Sequence, residues 1–240
     1  MIYRIADINI EMHFLYPINV EFFAEYSTPY EKEADFAIEV TEAEIDFEAA
    51  RAEGVEQPYI YTRGYFERLA ILRKVSAMML THDGFLMHGT TVEYEGRGYI
   101  FAAPSGVGKT THALLWKKCF GEENVKIING DKPFVRLFDG RFYAYGTPWC
   151  GKEGLSINER TPIAAVCFLK RATENSIRPL DETESLQRML AQIMVTDSSD
   201  LATQLDLAGA LIENVPMFEL ACNMEIEAAQ VAYEGMNKRK

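Results

Sequence analysis

"FAAPSGVGKTTHALLW", residues 101–116, runs from an apolar stretch through a glycine-bracketed turn into a lysine, two threonines and an amphipathic segment. Ala103-Pro-Ser-Gly-Val-Gly-Lys109-Thr110 fits the phosphate-loop pattern G-x-x-x-x-G-K-[ST], with Ala103 where the first glycine usually stands. The composition follows from the chemistry. Consecutive backbone N–H groups must converge on phosphate oxygens, so glycine at 106 and 108 removes side chains and permits positive φ. A helix starting near Thr110 adds unsatisfied amides and a positive dipole end. Lys109 then reaches the β- and γ-phosphates, and the Thr110 hydroxyl coordinates Mg²⁺. The expectation is a bend of amides opening at Pro104 and closing at Thr111 that grips a nucleoside triphosphate. ATP rather than GTP is the default, because no base-reading motif stands in the sequence.

The rest of the chain bounds this reading. Its 240 residues suffice for one large domain, or a domain with a smaller appendage, with a buried core. Hydrophobic content of 48% beside 25% charged residues is ordinary for a globular protein. A net charge of −12 argues against a broad nucleic-acid or anionic-membrane surface. It leaves nucleotide binding open, because a local nest of amides holds phosphate within an acidic protein. The basic run Lys238-Arg239-Lys240 reads as a solvated tail. Cys119, Cys150, Cys167 and Cys222 are far apart and form no C-x-x-C pair, so no zinc site is expected. Arg4 and Asp7 interrupt the N-terminus before a signal-peptide core develops. No apolar run approaches the roughly 18 residues of a membrane span, so a cytoplasmic protein is expected.

Residues 1–40 hold short aromatic and β-branched runs, with Phe36, Ile38 and Val40 alternating as in a half-buried strand. Thr41 and Glu44 resemble a capping box, and Gly54 suits the end of the helix between. Phe66, Leu69, Leu72, Val75 and Met79 predict a helix over about 64–80. Two extended runs then flank Gly96-Arg97, read as a hairpin turn, and a second hairpin turns at Asp139-Gly140. "IAAVCFLKR", 163–171, is a continuous apolar run typical of a buried central strand. Helices are expected near 183–196 and 199–213, then a strand near 217–220 and a last helix. The pattern predicts an α/β fold with a mixed sheet and flanking helices: a small N-terminal α+β region over 1–62, and a nucleotide-binding domain over 63–240.

Two residues could complete a site. If Gly96-Arg97 is the turn, facing residues sum to 193, so Thr91 faces Ala102 and His88 falls opposite Ser105, beside the glycine loop. A lone histidine is otherwise a structural residue. Asp131 ends "VKIING", 22 positions beyond Lys109. An acid at the end of a core strand can hold Mg²⁺ or accept a hydroxyl proton; the alternative is a turn residue of "GDKP".

Together, a His-Gly on a strand, a short hairpin, S-G-x-G-K-[ST], and an acid followed by a base resemble the catalytic domain of HPr kinase/phosphorylase. The chain is more similar still to smaller HPr-kinase-like proteins, including free-serine kinases and kinases of lasso-peptide pathways, which share a nucleotide fold with phosphoenolpyruvate carboxykinase. The resemblance covers about 85–222, with "YGTPWCGKEG" and "IAAVCFLKR" in the expected order. It implies that Ser105, Gly106, Val107, Gly108, Lys109, Thr110 and Thr111 hold the triphosphate and that Thr110 ligates Mg²⁺. Asp131 would be the catalytic or metal-ligating acid. His88 would handle protons or orient Asp131, and Lys152 would meet transferred phosphate unless it is a surface lysine.

The chain departs from that pattern in three ways. The family commonly carries two adjacent aspartates where this chain has Gly130-Asp131, so Asp131 must combine roles or the base lies elsewhere. The loop after the second hairpin lacks the phosphorylase signature, and the long N-terminal domain of true HPr kinases is not seen, so HPr is not the expected substrate. The family's hexamer is not carried over, and a homo-oligomer stays open. The expected activity is transfer of the ATP γ-phosphate to a serine hydroxyl of a peptide, a protein or free serine. The alternative is a non-catalytic ATP-binding module that recognises a peptide or protein partner. Decarboxylating chemistry lacks a companion His, Lys and Asp metal set.

Overall fold

Three two-residue reversals organise the strands of this computed structural model, which describes residues 1–29, 33–52, 61–194 and 201–238. Ala6-Asp7, Glu95-Gly96 and Asp139-Gly140 all hold positive φ, the backbone of a tight hairpin turn whose twist matches that of its strands. The first joins β1 (Ile2–Ile5) to β2 (Ile8–His13). Helix α1 (Ile18–Phe22) and strand β3 (Phe36–Glu39), parallel to β2, follow. The expected strand at Phe36 is therefore present. The Thr41–Glu44 capping box forms, the Glu44 amide donating to Thr41 Oγ1 and the Thr41 amide to the Glu44 carboxylate, and it opens α2 (Glu42–Ala52). Gly54, proposed to close that helix, lies outside the described residues. Thr62 caps α3 (Arg63–Met79) by accepting from the Tyr65 amide.

The second sheet has nine strands among the described residues. It opens with β4 (Gly84–Leu86), β5 (Gly89–Tyr94) and β6 (Arg97–Ala102), before α4 (Lys109–Phe120) and β7 (Val125–Asn129). Then come β8 (Phe134–Phe138), β9 (Arg141–Tyr145), the long β10 (Arg160–Arg171) and β11 (Ser176–Pro179). Helices α5 (Glu182–Leu190) and α6 (Leu201–Asn214), strand β12 (Met217–Cys222) and helix α7 (Glu227–Asn237) complete the described chain. β10 is central: it runs parallel to β6 on one edge, while its other edge pairs first with antiparallel β9 and then with parallel β12. The handover falls beside Pro162, which has no N–H to donate, and the β6 register shifts between Ile163 and Ala165.

The apolar runs on β6 and β10 are explained by helices on both faces. Tyr99, Phe101, Ala165, Cys167 and Leu169 share a core with Trp116 of α4 and the alanines of α7. Ile100, Ala102, Val166 and Phe168 point oppositely, into a core with Met189 of α5 and Leu207 and Leu211 of α6. A third core joins the three-stranded sheet and α3 to Phe134, Tyr145 and Trp149.

Two expectations are corrected. The β5–β6 turn is Glu95-Gly96, not Gly96-Arg97, so Thr91 faces Ile100 and Gly89 faces Ala102. Facing residues therefore sum to 191, and His88 stands before the glycine loop rather than opposite Ser105. A slip of two residues keeps every side chain on its face, which is why hydrophobic alternation could not detect it. The helix expected to reach 196 ends at Leu190, and Ile193 instead bridges Met87 in the strand direction. No helix among the described residues is long and apolar enough to cross a membrane.

Candidate functional site

β6 delivers the chain into the glycine loop, and α4 carries it away. Gly106 and Gly108 have φ of 79° and 122°, where any side chain would be strained. Gly108 precedes the first helical residue and, lacking a side chain, offers no cap to the amides that follow it. Such amides are the orphan donors of a helix N-terminus. Lys109 is buried, and its Nζ donates to the Ala103 carbonyl at 2.9 Å, which draws the ammonium group back under the loop. Burial lowers its pKa, while the nearby Asp131 charge opposes that shift.

Asp131 follows β7 on a loop fixed mainly by its neighbour Asn129. The Asn129 Oδ1 accepts from the amides of Asp131 (2.9 Å) and Lys132 (2.7 Å), forming an Asx turn. Its Nδ2 donates to the carbonyl and hydroxyl oxygens of Thr147. The Thr90 hydroxyl donates to the Gly130 carbonyl at 2.7 Å, and the Gly89 amide to the Asp131 carbonyl at 2.9 Å. The carboxylate pairs with His88 Nε2 at 3.3 Å through one oxygen and with Lys132 Nζ through the other. Burial would raise the Asp131 pKa, but the His88 hydrogen bond and the Lys132 charge outweigh it and hold the group at about 2.

One cleft of about 490 Å³ brings these groups together: His88, Ser105, Gly106, Gly108, Lys109, Thr110, Thr111, Asp131 and Lys152 line its wall. Pro104 stands exposed at the outer bend, and Val107 lines an adjoining groove. Lys152 sits exposed on the turn between Gly151 and Gly154, both at positive φ. A Cβ on Gly151 would approach the Asp131 Cβ to 3.2 Å, so glycine lets this turn close over the acid. Trp149 is core, its Nε1 donating to the Arg68 carbonyl. Tyr65 stacks on Tyr61 at 4.1 Å beside a smaller cavity that Lys132 also lines.

Among the described residues no three His, Cys, Asp or Glu side chains converge as a metal cage. Thr110 and Asp131 present hard oxygen donors on one cleft, a donor set that would suit a divalent cation such as Mg²⁺.

Sequence reasoning missed the positioning role of Asn129. The signal was available in "NGDK", since asparagine readily accepts from amides two and three residues on. The steric reason for Gly130 was not legible. A Cβ there would meet the Cys150 carbonyl at 2.9 Å and the Leu155 carbonyl at 3.2 Å, contacts made by a loop 20 or more residues later.

A protein-family model described as "SynChlorMet cassette protein ScmC" matches residues 66–228. No curated protein matches the chain. Among solved structures, the Hpr(Ser) kinase/phosphatase from Coxiella burnetii matches at 8% identity with a TM-score of 0.38, over 62% of this chain and 88% of that one.

Proposed function

The chain belongs to the ScmC family of SynChlorMet cassette proteins, and from its site we propose an Mg-ATP-dependent kinase that phosphorylates a serine-type hydroxyl of a peptide, a protein or free serine. The observation that carries this reading is the Asp131 carboxylate, ionised and held by His88 and Lys132 on the same cleft as Lys109 and the glycine loop. The proposed fold is correspondingly of the phosphate-loop type found in HPr kinase and phosphoenolpyruvate carboxykinase.

In this reading the amides of 105–111 cradle the triphosphate, and Lys109 leaves the Ala103 carbonyl to meet the β- and γ-phosphates. Thr110 and Asp131 would hold Mg²⁺, which when bound offsets negative charge on the phosphate oxygens. Asp131 accepts a hydrogen bond from the acceptor hydroxyl and aims its oxygen at the γ-phosphorus. The new O–P bond forms as the bond to the β-phosphate oxygen breaks and ADP leaves. The hydroxyl proton passes to Asp131, with the His88 Nε2–H donating to the carboxylate and orienting it. Positioning and charge stabilisation supply most of the rate in such transfers. Lys152, exposed on the same cleft, would meet the transferred phosphate in this reading and is otherwise a surface lysine.

A second reading, an ATP-binding module without transfer, draws on Gly130, where the resembled kinases place a further acid. Incubation with γ-labelled ATP, Mg²⁺ and serine-containing acceptors separates the two. Label in the acceptor supports the kinase; nucleotide retained with no labelled acceptor or free phosphate rejects it in favour of the module.

A further inference from the structure

Lys132 joins the Asp131 cleft to a second space. Its Nζ pairs with the Asp131 carboxylate, and the same residue lines a separate cavity of about 290 Å³ between α2 and α3. Both helices face this cavity with residues three and four apart: Glu48, Arg51 and Ala52 from α2, and Tyr65, Leu69 and Leu72 from α3. Tyr61 and Tyr65 form one wall, their ring centroids 4.1 Å apart and their planes 13° from parallel.

Most of the charge around the cavity is already matched. Arg73 donates to Glu48 at 2.6 Å from one helix to the other, and Glu48 is only 5% exposed. Lys132 is matched to Asp131. What remains is aromatic and aliphatic surface, with the exposed Arg51 beside it. The volume lies at the lower limit of the roughly 300–1,000 Å³ typical of small-molecule sites, which suits a single side chain.

The cavity also stands close to the reacting centre. Trp149 Nε1 donates to the Arg68 carbonyl at 3.1 Å, which ties α3 to the loop that closes over Asp131. Burial and the neighbouring Tyr61 raise the Tyr65 pKa, and the negative charge of Asp131 adds to the rise, so this tyrosine lies within electrostatic reach of the acid.

Resting on the kinase reading, we propose that this cavity takes an aromatic side chain of the phosphate acceptor, which makes that acceptor a peptide or protein segment rather than free serine. The ring stacks on the tyrosine pair over Leu69 and Leu72, with the Arg51 guanidinium available to its face. Free serine would occupy the Asp131 cleft but has no group to reach past Lys132. Extended residues advance roughly 3.3 Å each, so the aromatic residue lies within two positions of the phosphorylated serine.

The test uses the full chain with γ-labelled ATP and Mg²⁺. Its acceptors are free serine and short peptides with one serine among alanines, carrying Phe, Glu or Ala at each of the two positions on either side. At one of these positions Phe is expected to lower the acceptor KM at least about 10-fold relative to Ala, from burial of one ring. Free serine should be labelled more slowly than that peptide. Tyr65→Ala removes the stacking face, and Ala52→Phe fills the cavity from α2. Each should raise KM for the Phe peptide by about 10-fold and keep KM for the all-alanine peptide and for ATP within about twofold, a split that general loss of structure would not produce. The aromatic cavity is overturned, with the kinase reading intact, if Phe gives no advantage at any position or Glu gives a larger one. The same holds if free serine serves as well as the best peptide, or if neither variant separates Phe from Ala peptides. If no acceptor is labelled although ATP binds, the kinase reading falls and takes this one with it.

Discussion

His88 Nε2 lies 3.3 Å from an Asp131 carboxylate oxygen, although the two residues reach that point from different strands of the nine-stranded sheet. His88 precedes β5, Asp131 follows β7, and these strands pair antiparallel, so the end of one meets the start of the other. The acid is therefore placed by the sheet itself, on the side where the glycine loop leaves β6. This argues that removing its charge harms chemistry more than binding. Asp131→Asn is expected to lower phosphoryl transfer by about 10²- to 10⁴-fold, as loss of a general base does, with ATP affinity nearly kept. Lys109→Ala should instead weaken ATP by about 10- to 100-fold, the value of a charge-assisted bond. Parallel measurement of transfer rate and ATP affinity for both variants checks the split; an Asp131→Asn protein with full transfer would remove the carboxylate from the mechanism.

Gly130 is fixed by its surroundings, so a second acid cannot simply be restored beside Asp131. A Cβ at this position comes to 2.9 Å from the Cys150 carbonyl and 3.2 Å from that of Leu155, both backbone atoms. Gly130→Ala is expected to cost about 1–3 kcal/mol by overpacking, and Gly130→Asp at least as much, with no gain in transfer. Chemical denaturation and a transfer assay on both variants test this. A stable and faster Gly130→Asp enzyme would show that the Cys150 turn yields.

The elements that were legible in the sequence carry local signals. Phe66 through Met79 repeat at helical spacing, Asp139-Gly140 marks its hairpin, and the Thr41–Glu44 box is written in four residues. What escaped depends on partners distant in sequence. The β5–β6 register is set by Glu95 adopting positive φ, at 54°, which no residue preference would favour over the neighbouring Gly96-Arg97 turn. The α5 periodicity continues past Leu190, yet Ile193 is drawn to Met87 and the helix stops. At the site, the loop glycines and Lys109 were readable as a contiguous motif. The buttressing of Asp131 by Asn129, Thr90 and Thr147 was not, because it joins three separate strands or loops.

Burial of His112 makes stability depend on pH. Desolvation lowers its pKa from 6.5 to about 3, so the folded protein keeps it neutral where the unfolded chain protonates it. Its contribution is fully present above about pH 6.5 and is lost as pH falls toward 3, with a limiting slope of about 1.4 kcal/mol per pH unit. His112→Gln keeps an acceptor for Trp116 and removes the titration. Urea unfolding between pH 7 and 4 should therefore show a shallower decline for His112→Gln than for the unaltered protein. Equal slopes would mean that the imidazole is protonated within the fold.

Asn129 offers the sharpest separation of positioning from binding. Its side chain accepts from two amides of the Asp131 loop and donates to Thr147, yet it does not line the cleft. Asn129→Ala leaves these amides unpaired in a partly buried place, at a cost of about 1–3 kcal/mol in stability. The released loop lets Asp131 drift from its alignment with His88, and small misplacements of this kind reduce rate steeply. The maximal transfer rate should fall by about 10-fold or more, while ATP affinity stays within about twofold, because the glycine loop and Lys109 are untouched. Asn129→Asp, which retains the accepting oxygen but loses the donation to Thr147, should recover part of the rate. A variant in which rate and ATP affinity decline together would instead assign Asn129 to general support of the sheet.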